Sequence, residues 1–299
     1  MNILILGSEG FIGSHLCDFF VTQHTVIGYD TSSNAIYNHN KTHYHSNLYA
    51  TLSSIFNTYT IDVCINAAGS ANVGMSVQEP INDFTANALF TMQVLDAIRQ
   101  HSAACKYLHI SSAAVYGNPT TLPIAEYHTL APISPYGYHK LIAEKISEEY
   151  SKLYNIKTAI IRPFSVYGPR LKKQLFWDIY NKATSSNTVQ MFGTGNETRD
   201  FIYITDVVAI INAIITNSKF EFDIYNTASG HANTIGEVTA LFCGMFATPK
   251  AIVFNTIIKQ GDPLYWQANI EKIQQLYNQP MLPITSGLQK TYEWIVSQS

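Results

Sequence analysis

Short apolar runs recur along the first half of the chain, and longer segments with a helical pattern separate them. The runs are rich in Ile and Val and span residues 3–6, 25–29, 61–65, 107–110 and 158–161. Continuous apolar strands of this kind are typical of a parallel sheet with helices on both faces. The alternation therefore predicts repeated β-α units and a doubly wound α/β sheet.

The segment of residues 81–100 has the clearest helical periodicity. Apolar side chains return there every three or four residues, at Phe84, Ala88, Met92, Leu95 and Ile98. After about Gly168 the pattern becomes irregular, which indicates a second, smaller domain of mixed helices and strands. We expect residues 1–168, joined by about 205–228, to form the first domain. Residues 169–204 and 229–299 would then form the second.

Composition excludes several classes of protein. Of the 299 residues, 46% are hydrophobic and only 13% are charged, which predicts a compact globular protein. A net charge of −3 gives no electrostatic basis for binding nucleic acid or an anionic membrane. The four cysteines have no CxxC spacing and the ten histidines form no metal-binding pair, so we expect no metal and free thiols. No apolar run approaches the roughly 20 residues of a membrane span, and no basic leader opens the chain. We therefore expect a cytoplasmic protein.

A glycine-rich loop directly follows the first apolar run. Gly7, Gly10 and Gly13 form a GxxGxxG pattern that leads into an amphipathic helix starting near Phe11 and Ile12. The first glycine permits a tight turn, the second lets backbone amides approach a pyrophosphate, and the third lets the helix pack closely on the strand. Its position between strand and helix predicts dinucleotide binding.

Asp30, at the end of the second run, favours NAD over NADP. A carboxylate at this distance from the glycines can accept hydrogen bonds from the adenosine ribose, and it would repel a 2′-phosphate. Residues 31–34 provide no basic side chain to compensate. Asn47 and Leu48 are candidate adenine contacts.

Tyr136 and Lys140 are four residues apart and share one face of a predicted helix. Both side chains can then reach one bound molecule. The ammonium group is expected to lower the pKa of the phenol, which would let the tyrosine act as an acid or base near neutral pH. Beside a dinucleotide site, this pairing points to hydride chemistry.

Several further sequence motifs accompany the glycine loop and the Tyr136–Lys140 pair. They are residues 66–69 (NAAG), 76–80 (SVQEP), 111–117 (SSAAVYG), 134–140 (SPYGYHK), 162–170 (RPFSVYGPR), 199–203 (RDFIY) and 261–263 (GDP). With the glycine loop, they resemble the extended short-chain dehydrogenase/reductase family, in particular its nucleotide-sugar epimerase and dehydratase branch. The resemblance covers nearly the whole chain. It implies a Rossmann-type sheet, with a smaller domain that binds a nucleoside diphosphate sugar.

The resemblance also implies a catalytic set. Tyr136 would be the general acid/base toward a sugar oxygen, and Lys140 would hydrogen-bond the nicotinamide ribose. Ser112 would hydrogen-bond the reacting oxygen, with Ser111 as its nearest competitor. The cofactor would be covered by a wall formed from Ala67, Ala68, Gly69, Asn87 and Pro163.

Substrate contacts follow from the same resemblance. Arg199 stands where the family places an arginine on the pyrophosphate, and a guanidinium suits bidentate oxygen recognition. Lys259 stands where relatives often carry arginine. Arg170 would join the same anion site or cap the preceding turn, and Ser165 would contact the sugar.

Departures from the family pattern narrow the reaction. Family 4,6-dehydratases carry an aspartate and a glutamate after the catalytic serine or threonine, whereas Ala113 and Ala114 stand here. Two methyl groups cannot transfer protons, so a nucleotide-sugar 4-epimerase is expected, with a 4-keto-sugar reductase or dehydrogenase as the alternative. Ala71 and Ser165 depart from the UDP-galactose epimerase pattern, which leaves the sugar open. A non-catalytic NAD-binding protein is a third interpretation.

Two helices resemble those that pair across a dimer in relatives. They cover residues 81–100 and 135–154. The resemblance therefore implies a homodimer.

Overall fold

The main feature of the structure is a large parallel sheet. The structure is a computed structural model that describes residues 1–33, 37, 42–46, 49–257, 261 and 263–298. Within these residues, seven strands form this sheet in the order β10-β6-β5-β4-β1-β2-β3. The strands in chain order are β1 (Asn2–Leu6), β2 (Thr25–Asp30), β3 (Thr42–His45), β4 (Val63–Asn66), β5 (Lys106–Ile110), β6 (Thr158–Pro163), β7 (Ser165–Tyr167), β8 (Thr188–Met191), β9 (Thr198–Tyr203), β10 (Glu221–Thr227), β11 (Ala232–Thr234) and β12 (Ala251–Phe254). The predicted doubly wound α/β fold is confirmed.

Helices cover both faces of the sheet. The helices in chain order are α1 (Phe11–Phe20), α2 (Tyr49–Thr58), α3 (Val73–Gln78), α4 (Pro80–Phe84), α5 (Phe90–His101), α6 (Pro135–Tyr154), α7 (Gln174–Ser185), α8 (Ile204–Asn217), α9 (Ile235–Cys243), α10 (Glu271–Gln274) and α11 (Ile284–Ser297), of which α7, α9 and α11 pack with the small sheets described below. Strand β1 illustrates how the two faces are filled. Ile3 and Ile5 join one buried cluster, and Leu4 and Leu6 join another. This alternation is the period of two that a strand imposes on its side chains.

The five strands predicted from apolar runs are all present, and two polar edge strands were missed. Strand β3 reads Thr-His-Tyr-His and lies at one edge of the sheet. Strand β10 lies at the opposite edge, and its first half is only partly buried. An edge strand has one neighbour and more solvent, so its sequence lacks the continuous apolar run of a central strand.

Helix α6 positions the predicted Tyr-Lys pair. Pro135 occupies its first turn, and the Ser134 hydroxyl accepts a hydrogen bond from the Gly137 amide at 3.2 Å. Asn155 ends the helix in the left-handed conformation with φ 56°. The buried face includes Tyr136 and Lys140, so both side chains point inward.

The helical segment predicted at residues 81–100 is interrupted by a π-helical turn. Helix α4 runs into this turn at Thr85–Leu89, and α5 follows directly. The Asn87 side-chain amide donates to the Asp83 carbonyl at 3.0 Å, and Thr91 donates to the Asn87 carbonyl at 2.8 Å. Turns of this type occur frequently at functional sites.

Two small sheets lie beyond the carboxyl ends of the main strands. Strands β11, β9 and β7 form one, and β12 pairs with β8 in the other. Phe176, Phe201 and Phe242 belong to the aromatic cluster that packs this region. Between β9 and β11 the chain returns to the large sheet, where α8 packs on α1 and β10 pairs in parallel with β6. Across the described ranges, every helix is too short or too polar to cross a membrane.

Candidate active site

The glycine loop lies where the strand order of the sheet reverses. Strand β1 pairs with β2 on one side and with β4 on the other, and ligands of doubly wound sheets bind at such a crevice. Gly7 has φ +75°, and a Cβ there would lie 2.8 Å from the Ala67 carbonyl oxygen. A Cβ on Gly13 would lie 2.0 Å from the Gly7 carbonyl oxygen. Glycine is therefore required at both positions.

The start of α1 suits an anionic ligand. Gly10 is its N-cap, and no side chain caps the first turn. The free amides and the helix dipole favour a phosphate group at this end. Phe11 and Ile12 border the cavity that opens beside the loop. The residues present therefore fit the pyrophosphate of a dinucleotide.

Asp30 lies against the same loop. One carboxylate oxygen accepts from the Glu9 amide at 2.9 Å, and the other accepts from the Ser32 amide at 2.9 Å. The carboxylate is thus fixed beside the loop, which suits a ribose acceptor and disfavours an additional phosphate. The candidate adenine contacts Asn47 and Leu48 lie outside the described residues.

The predicted catalytic residues Ser112, Tyr136 and Lys140 line one cavity of about 340 Å³. Tyr136 is 7% exposed, and its amide donates to the Ser76 hydroxyl at 3.1 Å. Burial raises the pKa of the Tyr136 phenol to about 12, and hydrogen bonding with Ser112 opposes that rise. The predicted lowering of this pKa is wrong for the polypeptide alone, because the loss of water outweighs the other contributions.

Lys140 is held by the end of strand β5. Its ammonium group donates to the Ile110 carbonyl at 2.9 Å, and the side chain is buried. Burial lowers the pKa of Lys140 to about 8, although the carboxylates of Asp83 and Glu144 act in the opposite direction. The lysine is therefore fixed in place and loses its proton more readily than a solvated lysine.

The two neighbouring serines have different surroundings. Ser111 is buried and donates to the Glu144 carboxylate at 2.6 Å, within a cluster that contains Arg162. Ser112 caps the 3₁₀ turn Ala113–Tyr116 by accepting from the Ala114 amide at 3.1 Å, and it borders the cavity. Both serines line the cavity, but only Ser112 hydrogen-bonds with Tyr136, while the Ser111 hydroxyl is engaged by Glu144.

The residues predicted to cover the cofactor lie together along the same cavity. Ala67, Ala68, Gly69 and Pro163 line the cavity. Gly69 has φ +125°, and a Cβ there would lie 2.4 Å from the side-chain oxygen of Asn87. Asn87 thus supports this wall from behind, within the π-helical turn.

The cavity continues into a larger cleft of about 620 Å³ between the main sheet and the small sheets. Ser165, Lys173 and Arg199 line both spaces. The Arg199 guanidinium donates to the Thr198 carbonyl at 2.9 Å and lies over the Trp266 ring at 5.8 Å. Lys173 carries no signature in the sequence, and it was missed. Lys259, another predicted anion contact, lies outside the described residues.

Arg170, predicted to join the anion site or to cap the preceding turn, pairs with an aspartate of α1. Its guanidinium forms an ion pair with Asp18 on α1 at 2.6 Å and stacks over the Tyr37 ring at 4.3 Å. Arg170 has φ 73°. A sequence pattern does not reveal this positive φ or the ion pair with Asp18. In the part of the chain that the structure describes, no group of three metal-ligating side chains occurs.

Comparison with known proteins agrees with this geometry. The family model for the NAD dependent epimerase/dehydratase family matches residues 3–228. The chain belongs to this family. It is therefore an enzyme of the extended short-chain dehydrogenase/reductase type, in a family whose cofactor is NAD.

Individual members of the family are similar over their full lengths. The UDP-glucose 4-epimerase of Mycolicibacterium smegmatis is 27% identical over 316 residues, covering 100% of both chains. The UDP-glucuronate 4-epimerase of Thermodesulfobacterium geofontis is 26% identical over 97% of this chain and 95% of its own. The solved structure of UDP-glucuronic acid 4-epimerase from Bacillus cereus, in complex with UDP-glucuronic acid and NAD, has a TM-score of 0.88 and 26% identity, with 100% of both chains covered.

Proposed function

We propose that the protein is an NAD-dependent nucleotide-sugar 4-epimerase. The observation that carries this proposal is the convergence of Ser112, Tyr136 and Lys140 on one cavity beside the dinucleotide loop. Ala113 and Ala114 follow Ser112 and offer no acid or base for water elimination. The similarity to relatives named as UDP-sugar 4-epimerases supports the same reaction.

The proposed mechanism needs one group that carries a proton and a bound keto-sugar that can rotate to present its opposite face. Tyr136 accepts the proton of the sugar 4-hydroxyl while Ser112 hydrogen-bonds the same oxygen. The loop with Gly7, Gly10 and Gly13 would hold the NAD, which would supply the reversible hydride chemistry at C4 of the sugar. Tyr136 then gives the proton back to the oxygen, so no net oxidant or reductant is consumed.

For this role, the Tyr136 phenol must first lose its proton. With its pKa raised to about 12, the Tyr136 phenol keeps its proton near neutral pH unless positive charge lies beside it. We assign that charge to the Lys140 ammonium, which lines the same cavity and is held at the Ile110 carbonyl, and to the bound cofactor. A charged Lys140 is therefore essential to the proposed proton transfer.

We propose that the substrate is a nucleoside diphosphate sugar bound along the cleft. Arg199 would contact the diphosphate as a planar donor, Lys259 would add a second positive charge, and Ser165 would contact the sugar. The large cleft has room for a nucleotide next to the catalytic cavity.

We also propose a homodimer formed through α4, α5 and α6. Exposed apolar side chains occur along these helices: Ile81, Phe84, Met92, Tyr138 and Ile142. Exposed apolar side chains on neighbouring helices are typical of an interface, and a second copy of the chain would cover them. The four cysteines are free and buried, which suits a reducing cytoplasm.

The proposed domain division follows the course of the chain. Residues 1–168, with about 205–228, would form the NAD-binding domain, since β10 pairs with β6 of the large sheet. Residues 169–204 and 229–299 would form the substrate domain around the small sheets.

The test of this function begins with the purified protein and no added cofactor. Denaturation should release NAD, and NMR should show interconversion of a UDP-hexose and its 4-epimer among UDP-glucose, UDP-N-acetylglucosamine and UDP-glucuronate. Tyr136→Phe should lower turnover about 10²–10⁴-fold, because it removes the acid/base group. The variant should retain NAD, since the glycine loop is unchanged.

Other outcomes would contradict the proposal. Stoichiometric consumption of NADH or NADPH by a 4-keto-sugar would identify a reductase instead. Normal turnover in Tyr136→Phe would remove the tyrosine from the mechanism. Bound NAD without conversion of any nucleotide sugar would favour a regulatory protein.

A further inference from the structure

The amide of Tyr136 lies in the first turn of α6, where backbone N–H groups have no partner within the helix. The cap residue Ser134 accepts from the Gly137 amide at 3.2 Å through its hydroxyl, and from the Tyr138 amide at 3.0 Å through its carbonyl. The Tyr136 amide instead donates to the Ser76 hydroxyl of α3, at 3.1 Å. A contact between two helices therefore completes the start of α6.

The Ser76 side chain is buried and makes two hydrogen bonds. It is 0% exposed, and its hydroxyl donates to the Val73 carbonyl at 2.7 Å while it accepts from the Tyr136 amide. A hydroxyl has one proton and two lone pairs, so both bonds can be made at once. Val73 lines the catalytic cavity and the larger cleft. A continuous chain of hydrogen bonds therefore runs from the lining of the cavity to the backbone of the proposed acid/base residue.

A second contact limits movement of the same helical turn. A Cβ on Gly137 would lie 2.8 Å from the Ala114 carbonyl oxygen, so α6 packs closely on the 3₁₀ turn that Ser112 caps. Ser112 and Tyr136 must meet the same sugar oxygen in the proposed mechanism. A displacement of about 1 Å between reacting groups can lower turnover about 10²-fold. The backbone at the start of α6 is therefore a sensitive part of the site.

We propose that Ser76 is a positioning residue that fixes the backbone of Tyr136, and with it the phenol, at the reacting sugar oxygen. The proposal rests on the proposed function. Helix α3 begins at Val73, shortly after Gly69 of the predicted cofactor wall, so Ser76 joins this side of the site to the residue that transfers the proton. Without the hydroxyl, the buried Tyr136 amide would lose its acceptor, and the first turn of α6 would lose its bond to α3.

Two substitutions separate this role from general stability. Ser76→Ala removes the acceptor of the Tyr136 amide without changing a residue that lines the cavity. Ser147→Ala is the matched control, because Ser147 is also 0% exposed, lies on α6 and donates to the Ala143 carbonyl at 2.8 Å. If Ser76→Ala does not fold, Ser76→Cys takes its place, since a thiol is close in size to the hydroxyl but is a weak acceptor.

The first measurement follows the Tyr136 amide and needs no sugar. In holoenzyme with ¹⁵N-labelled tyrosine, NMR measures the exchange of each tyrosine amide with deuterated solvent, and Tyr136→Phe identifies the resonance. Exchange at Tyr136 should be about tenfold faster in Ser76→Ala, in line with the loss of one buried hydrogen bond, and unchanged in Ser147→Ala. Tyr107 in β5 is the internal reference, because its amide donates to the Lys157 carbonyl at 2.8 Å. Unchanged exchange at Tyr136, or an equal rise at Tyr107, would overturn the proposal.

The second measurement is sugar interconversion per molecule of bound NAD, with the NAD counted after denaturation. In Ser76→Ala, kcat on this scale should fall about 10–100-fold, with less than about a twofold change in KM, because the phenol is displaced while the diphosphate contacts remain. Ser147→Ala should match the wild type. A loss of bound NAD with normal turnover of the loaded enzyme would indicate a merely structural role and contradict the proposal. A rise in KM with unchanged kcat would contradict it as well.

The two measurements also separate this proposal from the proposed function. Failure of the wild type to convert any sugar would overturn the proposed function. The exchange measurement would then still decide whether Ser76 fixes the backbone of Tyr136.

Discussion

At the scale of single residues, the site combines buried ionisable groups with few opposing charges. Tyr136 and Lys140 are 7% and 5% exposed. Burial favours the neutral form of each, because it raises the pKa of Tyr136 and lowers the pKa of Lys140. A solvated pair would be easier to keep charged but could not exclude water from the reacting sugar. These two positions therefore stabilise the fold less than apolar side chains would, but they provide the reactive groups of the site.

Lys140→Met should therefore stabilise the fold while abolishing activity. The fall of the lysine pKa from 10.5 to about 8 corresponds to roughly 3 kcal/mol against the charged amine, at about 1.4 kcal/mol per pKa unit. Loss of the hydrogen bond to Ile110 offsets about 1 kcal/mol of this. We expect a gain of about 1–2 kcal/mol in the free energy of unfolding, measured by urea denaturation at pH 7.

The pH dependence gives this prediction a sign. Between pH 8 and 10.5 the unfolded lysine holds a proton that the folded lysine has lost, so wild-type stability rises with pH across this window. The difference between variant and wild type should be largest below pH 8 and shrink above it. Lys145→Met on the same helix is the control, because Lys145 is 66% exposed. A destabilised Lys140→Met would contradict the account.

At the scale of elements, the buried ion pair between Arg162 and Glu144 ties β6 to α6. The two side chains are 2% and 4% exposed, and Arg162 also donates to the Tyr116 hydroxyl at 2.8 Å. This ion pair fixes the position of α6, which carries Tyr136, relative to β6. Its loss should therefore affect the whole site.

Removing one partner of this pair should be costly. Arg162→Met leaves the Glu144 carboxylate buried without its cation, and we expect a loss of about 3–5 kcal/mol in the free energy of unfolding. The double variant with Glu144→Leu should recover much of this loss in a denaturation cycle. Lys152→Met, which breaks an exposed pair with Glu148 on the same helix, should cost under about 0.5 kcal/mol. Equal effects of the buried and exposed substitutions would contradict the assignment.

The elements also explain which parts of the site were predictable. Gly7, Gly13, Tyr136 and Lys140 could be found because their spacing within one loop or one helix determines their geometry. The Ser76 hydroxyl and the Tyr136 amide are 60 residues apart in the chain and meet only when α3 packs on α6. No local pattern marks such a contact.

Two further features could not be predicted from the sequence, for the same physical reason. The π-helical turn at Thr85–Leu89 adds a residue to a helix whose apolar periodicity reads as continuous. Arg170 was predicted from its place in a motif to join the anion site or to cap a turn, and its ion pair with Asp18 was not foreseen. Tertiary packing and backbone conformation decide both features.

At the scale of the whole molecule, the exposed apolar side chains of α4, α5 and α6 predict association. Light scattering coupled to size-exclusion chromatography should give twice the chain mass of 33.4 kDa. Ile81→Glu with Met92→Glu should shift the protein to the single-chain mass, because two carboxylates would be buried without partners at the interface.

The control for this experiment lies outside the proposed interface. Tyr127 is 87% exposed, and Tyr127→Glu should leave the mass unchanged. A single-chain mass for the wild type would refute the dimer. An unaltered dimer in the double variant would assign the interface to another surface.

Strand β10 has a consequence for how the molecule is made. This strand completes the outer edge of the large sheet beside β6, yet it lies more than 50 residues later in the chain. The amino-terminal half leaves the ribosome first. The outer edge of β6 therefore stays unpaired until residue 227 has emerged. Unpaired strand edges attract other chains. A gene fragment ending near Gly168 would leave that edge open permanently, and cutting the enzyme there should yield an aggregating piece instead of a soluble nucleotide-binding module.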